Sequence, residues 1–318
     1  MTVSIYFRSA LVAVVTAAIF LAVDWTTLFP FAFPDLNNYR SGFQSGWYVF
    51  STLNLGWVSF ILSEGVWVYG FDALWRWTGD IDNSFFIVSA VSLFLTIYYI
   101  YFRTKSVIAV LFIINPAFIN LVVEQLRSGL GTGLFFVGLL VKSRMLQAAI
   151  FLLALSVHSA FFLFVAFYYA VEFSERFNIT KLFNTRPVLL LVLFFVLATV
   201  IAYFRDFALA AVGDTRAFIV EDQTSGVFLA VGWLLFLVSY SLLRPRGRAF
   251  NFDLYFFTLN IFMFIASIFM GSYGARFVAI AIPALAVMSS HLEGRERTLF
   301  YVHYFLFSAV YFTFWLGR

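Results

Sequence analysis

LALSVHSAFFLF, running from Leu153 to Phe164, puts a histidine inside an apolar stretch that extends from Met145 to Val171. If Met145 to Glu172 forms one helix, the chain crosses an apolar layer once here. If it turns at His158, the chain crosses twice and every later loop changes side. The charges of the remaining sequence decide between these two topologies.

The 318 residues are 63% hydrophobic, 22% aromatic and only 11% charged, whereas soluble domains carry about 25% charged residues. This composition excludes an ordinary soluble enzyme and identifies an integral membrane protein. Apolar segments recur from end to end, so one integral membrane domain over residues 1–318 is expected, with no appended soluble module. Ser9 to Val23, after the lone Arg8, reads as an uncleaved first helix, because no small-x-small cleavage site follows it. The absence of cysteine excludes a disulfide framework and a Cys-based metal site.

Spans are expected at 9–23, 83–102, 106–123, 128–141, 145–157, 159–172, 187–204, 226–243, 254–271, 277–290 and 298–316. The fold class is therefore an all-α polytopic membrane protein with about eleven transmembrane helices. With the N-terminus in the cytoplasm, 13 of the 20 Lys and Arg residues fall inside and 7 outside, while 11 of the 16 acidic residues fall outside. Cytoplasmic loops collect Lys and Arg, so this bias sets the orientation. A single helix through His158 would turn the cluster RPRGR (Arg244 to Arg248) outward against that bias. The chain is therefore expected to turn back near His158.

Each arm of the hairpin is then about 20 Å long at 1.5 Å per residue, short of the roughly 30 Å hydrocarbon layer. Non-helical backbone at such depth requires surrounding protein or a water-filled cavity, so a cavity open to the outer face is expected. The long outer segments 24–82 and 205–225 can build it. Within the first, Trp47 to Leu62 reads as re-entrant or surface-lying, and the Trp-rich stretch EGVWVYGFDALWRW suits an interfacial helix.

Charged groups at the outer edge are informative because lipid burial costs several kcal/mol without a partner or water. Arg127 in NLVVEQLRSGLGTG, Arg276 in GSYGARF, Arg216 in VGDTRAF and His158 form this set, with Asp35 and Glu64 as acidic counterparts. Arg127 has only Glu124 as a close acidic neighbour in sequence. Each residue also has a plain reading: an arginine snorkels to lipid phosphate or caps carbonyls, a histidine bridges carbonyls at a turn, and Asp35 and Glu64 cap helices. Cationic groups converging on one face suggest an anionic ligand. HExxH, GxSxG and P-loop patterns are absent. His291 and His303 lie toward the opposite end from His158, so haem or zinc held by paired histidines is not expected.

Six stretches together resemble a known family. They are DLNNY (Asp35 to Tyr39), Glu64 with Gly65, Arg127 in EQLRSGL, His158 with Ser159 in LSVHSAFF, Arg216 in GDTRAF and Arg276 in GARF. Their order resembles the Wzy-type polymerases of bacterial O-antigens and exopolysaccharides, in the EpsG-like branch. Two departures are Val66, where a proline would complete a Glu-Pro-Gly-like element, and Ser128, where the family often has Gln. The resemblance implies a GT-C-like glycosyltransferase in the bacterial inner membrane with a periplasmic cavity, taking part in lipopolysaccharide or exopolysaccharide synthesis. The substrate it implies is an oligosaccharide on undecaprenyl diphosphate, with no metal, cofactor or nucleic acid and with a possible chain-length-regulating copolymerase as partner.

In that scheme His158, Asp35 and Glu64 are the catalytic candidates, with His158 first as base. Arg127, Arg216 and Arg276 are the diphosphate ligands, and Tyr39 and Tyr273 are substrate contacts. A ligase-like enzyme would look almost the same. A transporter or flippase for an anionic lipid-linked glycan is the alternative of a different class.

Overall fold

The computed structural model describes residues 2–28, 34–52, 60, 64–177, 192–200, 226–243, 252–270 and 274–316. Among them the chain is mostly helical, without a strand. The helices are α1 (Thr2–Leu21), α2 (Trp25–Leu28), α3 (Pro34–Gln44), α4 (Trp47–Thr52), α5 (Gly65–Thr78), α6 (Ile81–Thr104), α7 (Val107–Val110), α8 (Pro116–Val123), α9 (Leu126–Gly138), α10 (Arg144–Val157), α11 (Phe161–Arg176), α12 (192–200), α13 (Gly226–Leu243), α14 (Phe252–Met270), α15 (Ala275–Ser289) and α16 (Gly294–Leu316). Ser4–Leu21 within α1, all of α6 and α13, and Gly294–Trp315 within α16 are long and apolar enough to cross a membrane; α10, α15 and most of α14 are shorter apolar helices. The protein is thus an all-α, membrane-embedded chain. It divides into two compact units, Met1–Tyr169 with Phe314–Arg318, and Ala170–Thr313.

In the first unit α6 is the central helix, packed against α1 and α9. Asp80 starts it, its carboxylate accepting from the Asp82 amide at 2.9 Å, and Lys105 ends it in the left-handed conformation. Its serines and Thr96 are buried, on the stripe that carries Leu93, Ile97 and Ile100. Small residues let two helices approach closely where lipid supplies no hydrophobic drive between them. Gly133 of α9 meets α6 so closely that a Cβ there would lie 2.8 Å from the Leu95 Cβ and 3.2 Å from the Ser92 carbonyl oxygen.

Two expectations about helix breaks fare differently. The run at His158 does turn: α10 ends at Val157, His158 is extended (φ −151°, ψ 114°), and α11 begins at Phe161. The segment 106–123, expected as one span, is broken. It consists of α7, a 3-10 turn (Leu111–Ile113) and α8, with Asn115 extended (φ −148°, ψ 135°) before Pro116. Proline cannot donate to the preceding turn and disfavours helical backbone in the residue before it. Asn115 then caps the new helix, accepting from the Ala117 amide at 3.0 Å.

In the second unit α14 packs along α15. A Cβ on Gly274 would lie 1.8 Å from the Ser267 hydroxyl and 2.8 Å from the Phe264 ring, so a larger residue where the chain enters α15 would force these side chains to move. Trp233 and Phe236 of α13 meet Phe307 and His303 of α16 through ring contacts of 4.9 and 4.1 Å. His303 is thereby half-buried against an aromatic neighbour and bonded to Ser239 at 3.2 Å. Span 187–204 is described only over 192–200, which is helical. Loop 205–225 and much of Trp47 to Leu62 lie outside the described residues.

Candidate functional site

The site is built in the first unit from four segments that are distant in sequence. α3 supplies Tyr39, the residue before α5 supplies Glu64, the first turn of α9 supplies Arg127, and the α10–α11 turn supplies His158 and Ser159. An aromatic and aliphatic core including Tyr39, Phe43, Trp67, Phe71, Phe85, Leu126 and Val157 holds these segments together. Interiors packed at crystal-like density hold side chains in place, so the polar groups set on this core are pre-organised.

Glu64 is the hub. Its backbone is left-handed (φ 60°, ψ 33°), a conformation uncommon for a residue with a Cβ. Its side chain is only 7% exposed. One carboxylate oxygen, Oε2, accepts from Nη1 of Arg127. The other, Oε1, meets Nδ1 of His158 at 2.5 Å and accepts from the Ser159 amide and hydroxyl, each at 3.2 Å. Burial alone pushes the Glu64 carboxyl up, but Arg127, His158 and the Ser159 amide outweigh it and hold it well below the usual carboxylate range.

Arg127 occupies an electrostatically awkward place, since a cation in the first turn of a helix faces the positive end of the helix dipole. Three groups offset this. Besides Glu64, the Tyr39 hydroxyl accepts from Nε at 3.0 Å, and the Tyr39 ring lies 5.3 Å from the guanidinium carbon. Nη2 of Arg127 has no hydrogen-bond partner among the described residues. Arg127 therefore pairs with Glu64, 63 positions away, rather than with its sequence neighbour Glu124. That neighbour instead accepts from the Asn120 side chain and, at 3.3 Å, from the amide of Asp35.

Sequence reasoning named Tyr39, Glu64, Arg127 and His158 separately, and the structure brings these four together. Tyr39, expected as a substrate contact, is buried and holds Arg127. Asp35 sits in the first turn of α3, beside Glu124. Arg276 lies in the first turn of α15, within the second unit. Arg216 and Tyr273 lie outside the described residues. Sequence reasoning missed the Tyr39–Arg127 and Glu64–Arg127 pairings. The one local signal was the mismatch of Arg127 with a helix start. Family models, curated proteins and solved structures were all compared with the chain, and none matches.

Proposed function

We propose that the chain is a glycosyltransferase of the bacterial inner membrane, a polymerase that moves a glycan from undecaprenyl diphosphate onto another lipid-linked repeat unit. About eleven spans, a GT-C-like architecture and a site facing the periplasm belong to this reading. The observation that carries it is the convergence of Arg127 and His158 on the buried Glu64 carboxylate, with Tyr39 holding Arg127 from its other side. The sequence resemblance selects those same four positions from different parts of the chain.

The chemistry follows from the hydrogen bonds. An ionised Glu64 accepts from Nδ1–H of His158, which leaves the lone pair on Nε2. A carboxylate that orients an imidazole in this way is the arrangement of a general base. Nε2 takes the proton of the attacking sugar hydroxyl. The hydroxyl oxygen forms the new bond to the anomeric carbon while the bond from that carbon to the diphosphate oxygen breaks, and its electron pair leaves with the diphosphate.

A guanidinium stabilises that developing charge, and Arg suits bidentate phosphate contacts better than Lys. Arg127 offers its Nη2 edge. Glu64 is a poor base in this scheme, because the Arg127 guanidinium and the hydrogen bonds from His158 and Ser159 keep its proton affinity low; it is a positioning residue for His158. Asp35 stays a rival base.

Purified protein incubated with undecaprenyl-diphosphate-linked repeat units should yield a ladder of products and free undecaprenyl diphosphate. A single addition to a different acceptor would mark a ligase. No transfer, together with uptake that depends strictly on an ion gradient, would mark a transporter.

A further inference from the structure

Next to the candidate site is a second concavity of about 650 Å³ that the mechanism does not use. This volume falls within the roughly 300–1,000 Å³ of small-molecule sites. The C-terminal end of α1, the turn at Asp24, one flank of α3 and the first turns of α6 enclose it. Asn37 and Arg40 line it from α3, while Tyr39 on the adjacent flank of the same helix bonds to Arg127. One helix is about 10–12 Å across, so a single oligosaccharide can reach both places.

We propose that this concavity, bounded by Asp24, Asn37, Arg40, Asp82 and Phe86, is a subsite for the uncharged sugars of a glycan. The proposal rests on the glycan-transfer reading and names where the substrate's sugars lie away from the reacting bond.

Charge selects the ligand class. The lining carries two carboxylates, Asp24, which accepts from Thr26 and Thr27, and Asp82, which pairs with Arg40, against that one guanidinium, so an anion such as diphosphate is repelled here and belongs at Arg127. Geometry selects sugars within the uncharged class. Arg40 is held in a fixed pose by Asp82 at 2.5 Å, by Asn37 at 3.0 Å and over the Phe85 ring at 5.8 Å. Planar carboxylate, amide and guanidinium groups at fixed positions can share paired hydrogen bonds with vicinal hydroxyls. Phe86, 54% exposed on the same wall, presents an aromatic face to the apolar C–H side of a sugar ring. Asp82 is 64% exposed, so water around this pair is readily displaced.

The test probes the full-length protein in detergent with a printed array of neutral and acidic oligosaccharides. Retention of neutral glycans is expected, reduced about tenfold by Asn37→Ala and by Asp82→Asn and less by Phe86→Ala. Asn37, Asp82 and Phe86 all line the concavity, and unchanged gel-filtration elution verifies folding. Retention of acidic glycans alone, no neutral glycan retained, or wild-type binding by the Asn37 and Phe86 variants would overturn the subsite. The two levels separate cleanly. Neutral-glycan binding without any transfer by the wild type rejects the polymerase reading and keeps the subsite. Transfer by the wild type with binding indifferent to Asn37, Asp82 and Phe86 rejects the subsite alone.

Discussion

Two guanidinium–carboxylate pairs stand on either side of α3, and they differ in almost everything but composition. Arg127 and Glu64 are 20% and 7% exposed, joined by Tyr39, His158 and Ser159 into a closed network. Arg40 and Asp82 are 36% and 64% exposed and border open space. Water screens the second pair, so its contribution to stability is about 0–1 kcal/mol. The first pair has lost its water and depends on its partners, so removing one of them strands a buried charge. Burial thus separates a centre that has lost its water from a solvated rim.

The largest expected effect comes from breaking the buried pair at its hub. Glu64→Ala leaves Arg127 and His158 without their carboxylate and is expected to cost about 3–5 kcal/mol, read as a fall in thermal unfolding temperature in detergent. It is also expected to abolish polymer formation. Arg127→Ala and His158→Ala are expected to abolish polymerisation in cells lacking the native protein, judged per amount of variant present in the membrane. Full-length polymer from either variant would remove that residue from the chemistry.

Tyr39→Phe keeps the ring and deletes one acceptor of the guanidinium. A hydrogen bond to a charged group contributes about 1.5–3 kcal/mol, so the variant should be less stable than wild type and more stable than Glu64→Ala.

Acid sharpens the comparison further. The Glu64 carboxyl lies below its unfolded-state range, so its contribution to stability is complete above that range. It is lost as pH falls from about 5 downward through the folded value. Unfolding temperature should therefore drop with acidification in the wild type, and Glu64→Gln should flatten that slope.

The smallest effect belongs to the exposed pair. Arg40→Ala and Asp82→Asn should each change stability by no more than about 1 kcal/mol, and added salt should erase the difference. A loss as large as that of Glu64→Ala would show that exposure does not distinguish the two pairs.

The parts of this structure legible in the sequence were those with local or countable causes. The turn at His158 followed from loop charges, because one crossing more or fewer changes the side of every later arginine. The break at Asn115–Pro116 carried a local signal, a capping residue followed by proline. Hydropathy runs straight through it, since Ile113, Ile114 and Ala117 are apolar on both sides. The Glu64–Arg127 pair had no such signal: it joins residues 63 positions apart, and nothing within one helix turn of Arg127 points to Glu64 rather than Glu124. Glu124 itself is drawn off by Asn120 and the amide of Asp35, contacts that exist only once α3 has packed.

The most direct test of the central claim is product formation by the purified protein with undecaprenyl-diphosphate-linked repeat units, comparing wild type with His158→Gln across pH. The wild type is expected to give a polymer ladder whose rate falls on the acid side as an imidazole base takes up a proton, and the variant to give none. A ladder from His158→Gln with an unchanged pH profile would contradict the proton-accepting role. No ladder from folded wild-type protein would contradict glycan polymerisation itself.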